Sequence, residues 1–131
     1  DVLELFQKYG RVTMESCFRE LMAYSERRTR EVIAKIPDGK YSHEEPILDD
    51  GAKGGPFWLR LEVTKEGSEI TFDFTGTDPQ IKGPINSPLA TTLAAVYYTM
   101  RCITRSDIPS NEGCNRPIHV VAPDGCVSQY C

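Results

Sequence analysis

The stretch Phe57-Trp-Leu-Arg-Leu-Glu-Val-Thr64, the linker Lys65-Glu-Gly-Ser68 and the run Ile70-Thr-Phe-Asp-Phe-Thr75 decide the fold class. Phe57, Leu59, Leu61 and Val63 alternate with Trp58, Arg60, Glu62 and Thr64. Ile70, Phe72 and Phe74 alternate with Thr71, Asp73 and Thr75. Two period-two runs joined by a short Gly-containing link predict a β-hairpin with one apolar and one polar face. Such a sheet needs a helix or a second sheet over its apolar face.

The flanking segments supply helices. Residues 2–9 carry Val2, Leu3, Leu5 and Phe6, and Gly10 stands where a glycine ends a helix. Helical spacing resumes at Val12 and runs to Ile36, with Met14, Phe18, Leu21, Ser25, Arg28 and Val32 on one face. The run Ser25–Glu31 is charged all round and is expected to stand off the core or meet a partner. Its Arg27, Arg28 and Arg30 alternate with Glu26 and Glu31, which favours a solvated face over an anion site. Pro37-Asp-Gly39 stops the helix. Residues 40–56 read as loop. After the turn-rich 76–86, Ser87 is expected to cap, and Pro88 to open, a helix over 88–104 that is apolar nearly all round and so buried on most sides. Ile118–Val121 reads as a short strand. The fold class is α+β: a long N-terminal helix, an antiparallel hairpin with a buried helix packed on it, and a further strand. It is read as one segment over 1–131, with a helical arm at 1–36 and a core at 40–131.

Composition narrows the function classes. The 131 residues carry a net charge of −4, so no global basicity favours nucleic acid. No apolar run approaches the roughly 18 residues of a membrane span. The five cysteines are Cys17, Cys102, Cys114, Cys126 and Cys131, an odd number with no signal segment, which disfavours a disulfide framework. Cys17 and Cys102 are expected to be small buried hydrophobes. Cys114, His119, Cys126 and Cys131 offer soft donors, but no Cys-x-x-Cys pair accompanies them, and reduced thiols with a polar neighbour for His119 are expected instead. His43, Glu44, Glu45, Asp49 and Asp50 are hard donors without a calcium-loop spacing. Gly51-Ala-Lys-Gly-Gly55 lacks the Lys-Ser/Thr and helix of a nucleotide loop. Cys114 with His119 is a possible nucleophile–base pair, against a structural thiol beside a surface imidazole. No general catalytic signature is present.

Three longer stretches carry a resemblance. Phe72-Asp-Phe-Thr-Gly-Thr-Asp-Pro-Gln-Ile-Lys-Gly-Pro-Ile-Asn-Ser-Pro-Leu-Ala-Thr91, then Asp107-Ile-Pro-Ser-Asn-Glu-Gly-Cys-Asn-Arg-Pro117 with Val120–Gly125, and the earlier Tyr24–Arg28 and Ile36–Tyr41, resemble the hydantoinase B/oxoprolinase family in the same order. That family includes hydantoinase B subunits, the C-terminal half of 5-oxoprolinases and acetone carboxylase alpha-type subunits. The resemblance implies an internal segment of a larger cytoplasmic enzyme subunit, inactive alone. It implies an A-type partner that uses ATP to phosphorylate a substrate carbonyl, and a B-type subunit that completes hydrolysis of a cyclic amide. The alternatives are a ketone carboxylase segment or a stand-alone binding or assembly module. The resemblance assigns no cofactor or metal to this segment; it implies ATP on the partner and a divalent metal bound in a region upstream. No nucleic-acid or membrane partner is implied. The matching loops make Asp78, Gln80, Asn86, Asn111 and Arg116 candidates for substrate-loop residues, with no catalytic residue named. The closing Cys126–Cys131 departs from the family's small-apolar, Asn-Pro continuation.

Overall fold

The computed structural model describes residues 1–51, 54–104 and 107–129. Helices α1 (Val2–Tyr9) and α2 (Arg11–Ile33) lead into strands β1 (Gly39–Ile47), β2 (Phe57–Glu66) and β3 (Glu69–Asp73). Helix α3 (Leu89–Ile103), a 3-10 turn (Glu112–Cys114) and β4 (Ile118–Val121) follow. The strands form one mixed sheet in the order β1-β2-β3-β4. β1–β2 and β2–β3 are antiparallel, and β3–β4 is parallel, with α3 in the crossover.

The predicted alternation places Leu59, Leu61, Val63, Ile70 and Phe72 on the inner face, where Ile33 of α2 and Val96 and Met100 of α3 complete the core. Ile33 is fully buried. Burying a side chain of that size contributes roughly 1.5–3 kcal/mol.

α1 starts with a capping box: the Asp1 carboxylate accepts from the Leu3 and Glu4 N–H groups, and Glu4 reaches back to the first residue. Gly10, at φ 79°, turns the chain into α2. α2 differs from its expected orientation. The stretch expected to stand off is the one that packs, because Ser25, Thr29 and Ile33 are buried while Phe18 and Leu21 are exposed. Ser25 can be buried because its hydroxyl is satisfied: it donates to the Pro109 carbonyl at 3.1 Å and accepts from Asn111 Nδ2 at 2.9 Å.

Further expectations are corrected. Residues 39–47 are strand, not loop, and pair with β2 along their whole length. α3 buries one face (Thr92, Val96, Met100) and leaves Tyr98 and Ile103 exposed. It begins at Leu89, with Pro88 at the N-cap, and the Ser87 side chain does not cap it. Cys17 and Cys102 are exposed. The tail up to Gln129 belongs to the fold: Cys126, Val127 and Ser128 are buried, and the Val127 N–H donates to the Asp78 carbonyl at 3.1 Å. Tyr130, Cys131, Arg105 and the Ala52-Lys53 portion of the Gly-rich stretch lie outside the described residues.

Candidate functional site

The loops that carry the longest motif gather at one end of the sheet, past the ends of β3 and β4 and beside the start of α3. Here side chains continue the sheet where backbone pairing stops. Thr77 Oγ1 accepts from the Arg60 N–H at 3.1 Å and donates to the Arg60 carbonyl at 3.0 Å. The Asp78 N–H donates to the Trp58 carbonyl at 3.0 Å, and its carboxylate accepts from the Trp58 N–H at 3.0 Å and from Arg60 Nη1 at 2.7 Å. Thr77 and Asp78 thus do for β2 what β3 does one turn earlier.

Asn86 acts in the same way in the next loop. Its Oδ1 accepts from the Ile81 N–H at 3.0 Å, and its Nδ2 donates to the carbonyls of Ile81 and Gly83, closing the loop on itself. The Gln80 N–H donates to the Gly125 carbonyl at 2.7 Å and the Ser87 N–H to the Val127 carbonyl at 2.8 Å, so the tail is stitched to the motif loop. The Gln80 residue is exposed at this end.

Asn111 and Arg116 lie at the opposite end, where β3 and β4 begin. Asn111 Oδ1 accepts from the Gly113 N–H at 2.9 Å while its amide holds Ser25. Arg116 pairs with Glu26 at 2.9 Å, and Glu26 also holds Arg30, which reaches Glu69 at 3.0 Å. His119 closes this chain on Glu69 at 3.0 Å, the polar neighbour expected for it. The structure therefore brings Asp78, Gln80 and Asn86 together and sets Asn111 and Arg116 apart from them. The two groups are separated by the length of β3, roughly 13 Å for its five residues.

Charge follows this geometry. The Trp58 N–H and then the Arg60 guanidinium hold the Asp78 carboxyl below its ordinary value, and Asp78 raises Arg60 in return. Arg116 first and Arg30 second lower Glu26. Arg30 and His119 lower Glu69. Of the three clustered arginines, Arg30 pairs with Glu26 and Glu69, and Arg28 with Glu31 and Asp107.

A shallow groove of about 480 Å³ crosses the outer face of the sheet, walled by Ser42, Glu44, Arg60, Glu62, Asp73 and Thr75. Glu62 and Asp73 face each other in register. Lys40 neutralises Glu62 at 2.8 Å, and Arg60 sits between Glu44 and Asp78 and against the Trp58 ring. The chemistry on view is ion pairing and hydrogen bonding. Cys114 donates its thiol hydrogen to the Pro109 carbonyl at 2.8 Å and His119 bonds Glu69, so these two side chains bond to other groups and not to each other.

His43, Glu44 and Glu45 alternate across β1, and Asp49 and Asp50 accept from the Gly51 and Gly54 N–H groups of their own loop. Among the described residues, no three His, Cys, Asp or Glu side chains converge to hold an ion.

Sequence reasoning does not single out Thr77, Arg60 and Lys65, and it takes Gly113 only as a motif glycine that fixes a turn. Lys65 lies buried on the apolar face of β2, with its ammonium on Asp38 at 2.7 Å. Gly113 admits the Met22 carbonyl where a Cβ would otherwise stand. Their signals are slight: one lysine breaking the apolar alternation, and one glycine inside a turn.

The sequence profile of hydantoinase B/oxoprolinase matches residues 1–129. The chain belongs to the hydantoinase B/oxoprolinase family. It is 42% identical to a protein assigned as the B subunit of a D-/L-hydantoinase in Pseudomonas sp. (strain NS671), over 94% of this chain and 23% of that protein. It is 32% identical to 5-oxoprolinase 1 of Arabidopsis thaliana, over 95% of this chain and 11% of that protein. The crystal structure of ATP-dependent caprolactamase from Pseudomonas jessenii superposes with a TM-score of 0.89 at 27% identity, covering 99% of this chain and 22% of that one. The chain thus spans less than a quarter of the length of these relatives. No helix among the described residues is long and apolar enough to cross a membrane.

Proposed function

We propose that this chain is a scaffold segment of a B-type subunit in a cytoplasmic, ATP-dependent cyclic-amide hydrolase. The observation that carries the reading is its likeness, over nearly the whole segment, to a caprolactamase that is ATP-dependent. The identity with a hydantoinase B subunit supports it.

The chemistry is coherent. A ring amide resists water because its carbonyl is resonance-stabilised. An A-type partner transfers the γ-phosphoryl of ATP to the carbonyl oxygen, and ADP leaves. Water then adds at the activated carbon and the C–N bond breaks, with the nitrogen taking a proton. A second water releases phosphate from the resulting acyl phosphate. The divalent metal and the reacting groups belong to regions of the enzyme outside these residues. Within the segment, Asp78, Asn86 and Asn111 hold loops, while Gln80 and Arg116 are the candidate residues left exposed.

The test is to purify the subunit that carries this chain with its ATP-using partner and offer, each with ATP, 5-oxoproline, hydantoins and caprolactam, and in parallel acetone with bicarbonate. Mass spectrometry is expected to find a ring-opened product, heavier than its substrate by one water. Carboxylation of a ketone from bicarbonate, with no ring opened, overturns the reading in favour of the carboxylase alternative.

A further inference from the structure

Gly54 and Gly83 stand on different loops, and neither backbone requires glycine. Unlike Gly51 and Gly55, they do not adopt the left-handed φ that other residues avoid. What demands glycine at both positions is a single side chain, that of Asp50. A Cβ at position 83 would lie 2.8 Å from the Asp50 carboxyl carbon and 2.9 Å from its Cβ. A Cβ at position 54 would lie 2.7 Å from Asp50 Oδ2. The Asp50 side chain is thus wedged between the loop after β1 and the motif loop over 81–86, and the residue is only 6% exposed.

Both carboxylate oxygens are set as acceptors. Oδ1 accepts from the Gly54 N–H at 2.9 Å, and the Asp50 N–H donates back to the Gly54 carbonyl at 3.4 Å. Oδ2 occupies the space that side chains at 54 and 83 would need, so it faces the Cα hydrogens that glycine carries there. Gly83 is held from its other side as well, because its carbonyl accepts from Asn86 Nδ2 at 3.0 Å. Asp50 grips the motif loop by a Cα and Asn86 grips it by a carbonyl. Burying a carboxylate is costly, and space alone could be filled by an apolar side chain. An asparagine offers one oxygen only. Turned one way it sets its NH2 against the Gly54 N–H, and turned the other way against the Gly83 Cα. The second oxygen is what an amide cannot supply.

We propose that Asp50 is a positioning residue for ring opening. It acts through Gly83, whose loop it fixes at the end of the sheet where Asp78, Gln80 and Asn86 gather. The proposal rests on the cyclic-amide reading above. A misplacement of about 1 Å, remote from the reacting atoms, is enough to slow a reaction by up to about a hundredfold.

The test uses the complete enzyme with its ATP-using partner. Asp50→Asn keeps the volume and one acceptor. Its kcat is expected to fall about tenfold while KM stays within about twofold and the melting midpoint is unchanged. Gly83→Ala disturbs the same contact from the other loop and is expected to show the same split between kcat and KM. The double variant should be no slower than the slower single variant, because both changes break one contact. A wild-type kcat in Asp50→Asn, a loss of kcat accounted for by a lowered melting midpoint, or losses that multiply in the double variant would each overturn the proposal. Should Asp50→Asn fail to fold, Gly83→Ala decides with Asp50 intact: a wild-type kcat there overturns the proposal too. A wild-type enzyme that opens no ring overturns the cyclic-amide reading and this proposal with it. A wild-type enzyme that opens rings, beside an Asp50→Asn enzyme equally fast, overturns this proposal alone.

Discussion

Gly113 packs directly onto the backbone of Met22: a Cβ added at position 113 would lie 2.7 Å from the Met22 carbonyl carbon and 2.9 Å from its Cα. That contact brings the 3-10 turn against α2. Because its obstacle is helix backbone and not a flexible side chain, the turn or the helix has to move to admit even a methyl group. Gly113→Ala is expected to lower stability by about 2 kcal/mol or more. Urea unfolding of the purified protein checks this, and an unchanged midpoint would mean that the contact is not needed.

The Ser25–Asn111 bond fixes the same junction from the polar side. Ser25 is fully buried, so Asn111→Ala removes the donor to its oxygen, leaving the hydroxyl only its bond to the Pro109 carbonyl, and frees the Gly113 N–H. A loss of about 1–3 kcal/mol is expected for the single change. In a double-mutant cycle with Ser25→Ala the two losses should fall short of additivity by at least about 0.5 kcal/mol. Full additivity would separate the two side chains energetically.

Asp78 gives the motif loop a pH dependence. Its folded carboxyl is held below the ordinary value by the Trp58 N–H and Arg60. The clip's contribution is therefore fully present above about pH 4 and is lost as pH falls through the depressed folded value. Asp78→Ala is expected to cost about 1 kcal/mol at neutral pH, reduced by its partial exposure. Thermal melts of both proteins should converge below about pH 4. A gap that persists into strong acid would contradict an electrostatic clip.

Lys65 and Asp38 form an asymmetric pair. The lysine side chain is 3% exposed and the aspartate 66%. Asp38 is lowered by Lys65 and by the Gly67 N–H that it also accepts from. Removing the acid leaves a buried ammonium unpaired, whereas replacing the lysine with an apolar side chain of similar length leaves only an exposed carboxylate. Asp38→Ala should therefore destabilise more than Lys65→Met in chemical denaturation. The reverse order would show that the ammonium contributes beyond its pairing with Asp38.

How much of this is legible in the sequence depends on whether a residue's role lies in its own periodicity or in a distant partner. α1 falls at residues 2–9 as its spacing and Gly10 indicate, and the hairpin follows its alternation. β1 is invisible because Gly39–Glu45 is exposed on both faces, and a strand without a buried face shows no period. α3 reads as buried all round because alanine is apolar whether covered or not. α2 misleads for the opposite reason: Ser25 and Thr29 are polar by type yet buried by location. The candidate residues are legible as a group but not by role. Nothing in the sequence tells that the Asp78 carboxylate turns back to Trp58, or that Asn111 meets Ser25 across 86 positions. Nor does it tell that the two motif groups sit at opposite ends of a short parallel strand pair.

At the centre stands the proposal that this segment belongs to an enzyme that spends ATP to open a ring amide. The most direct measurement is the ratio of ADP formed to ring opened by the complete enzyme, with and without ATP. One ADP is expected for each ring opened, and no opening when ATP is withheld. Ring opening that proceeds undiminished without ATP would contradict the proposal.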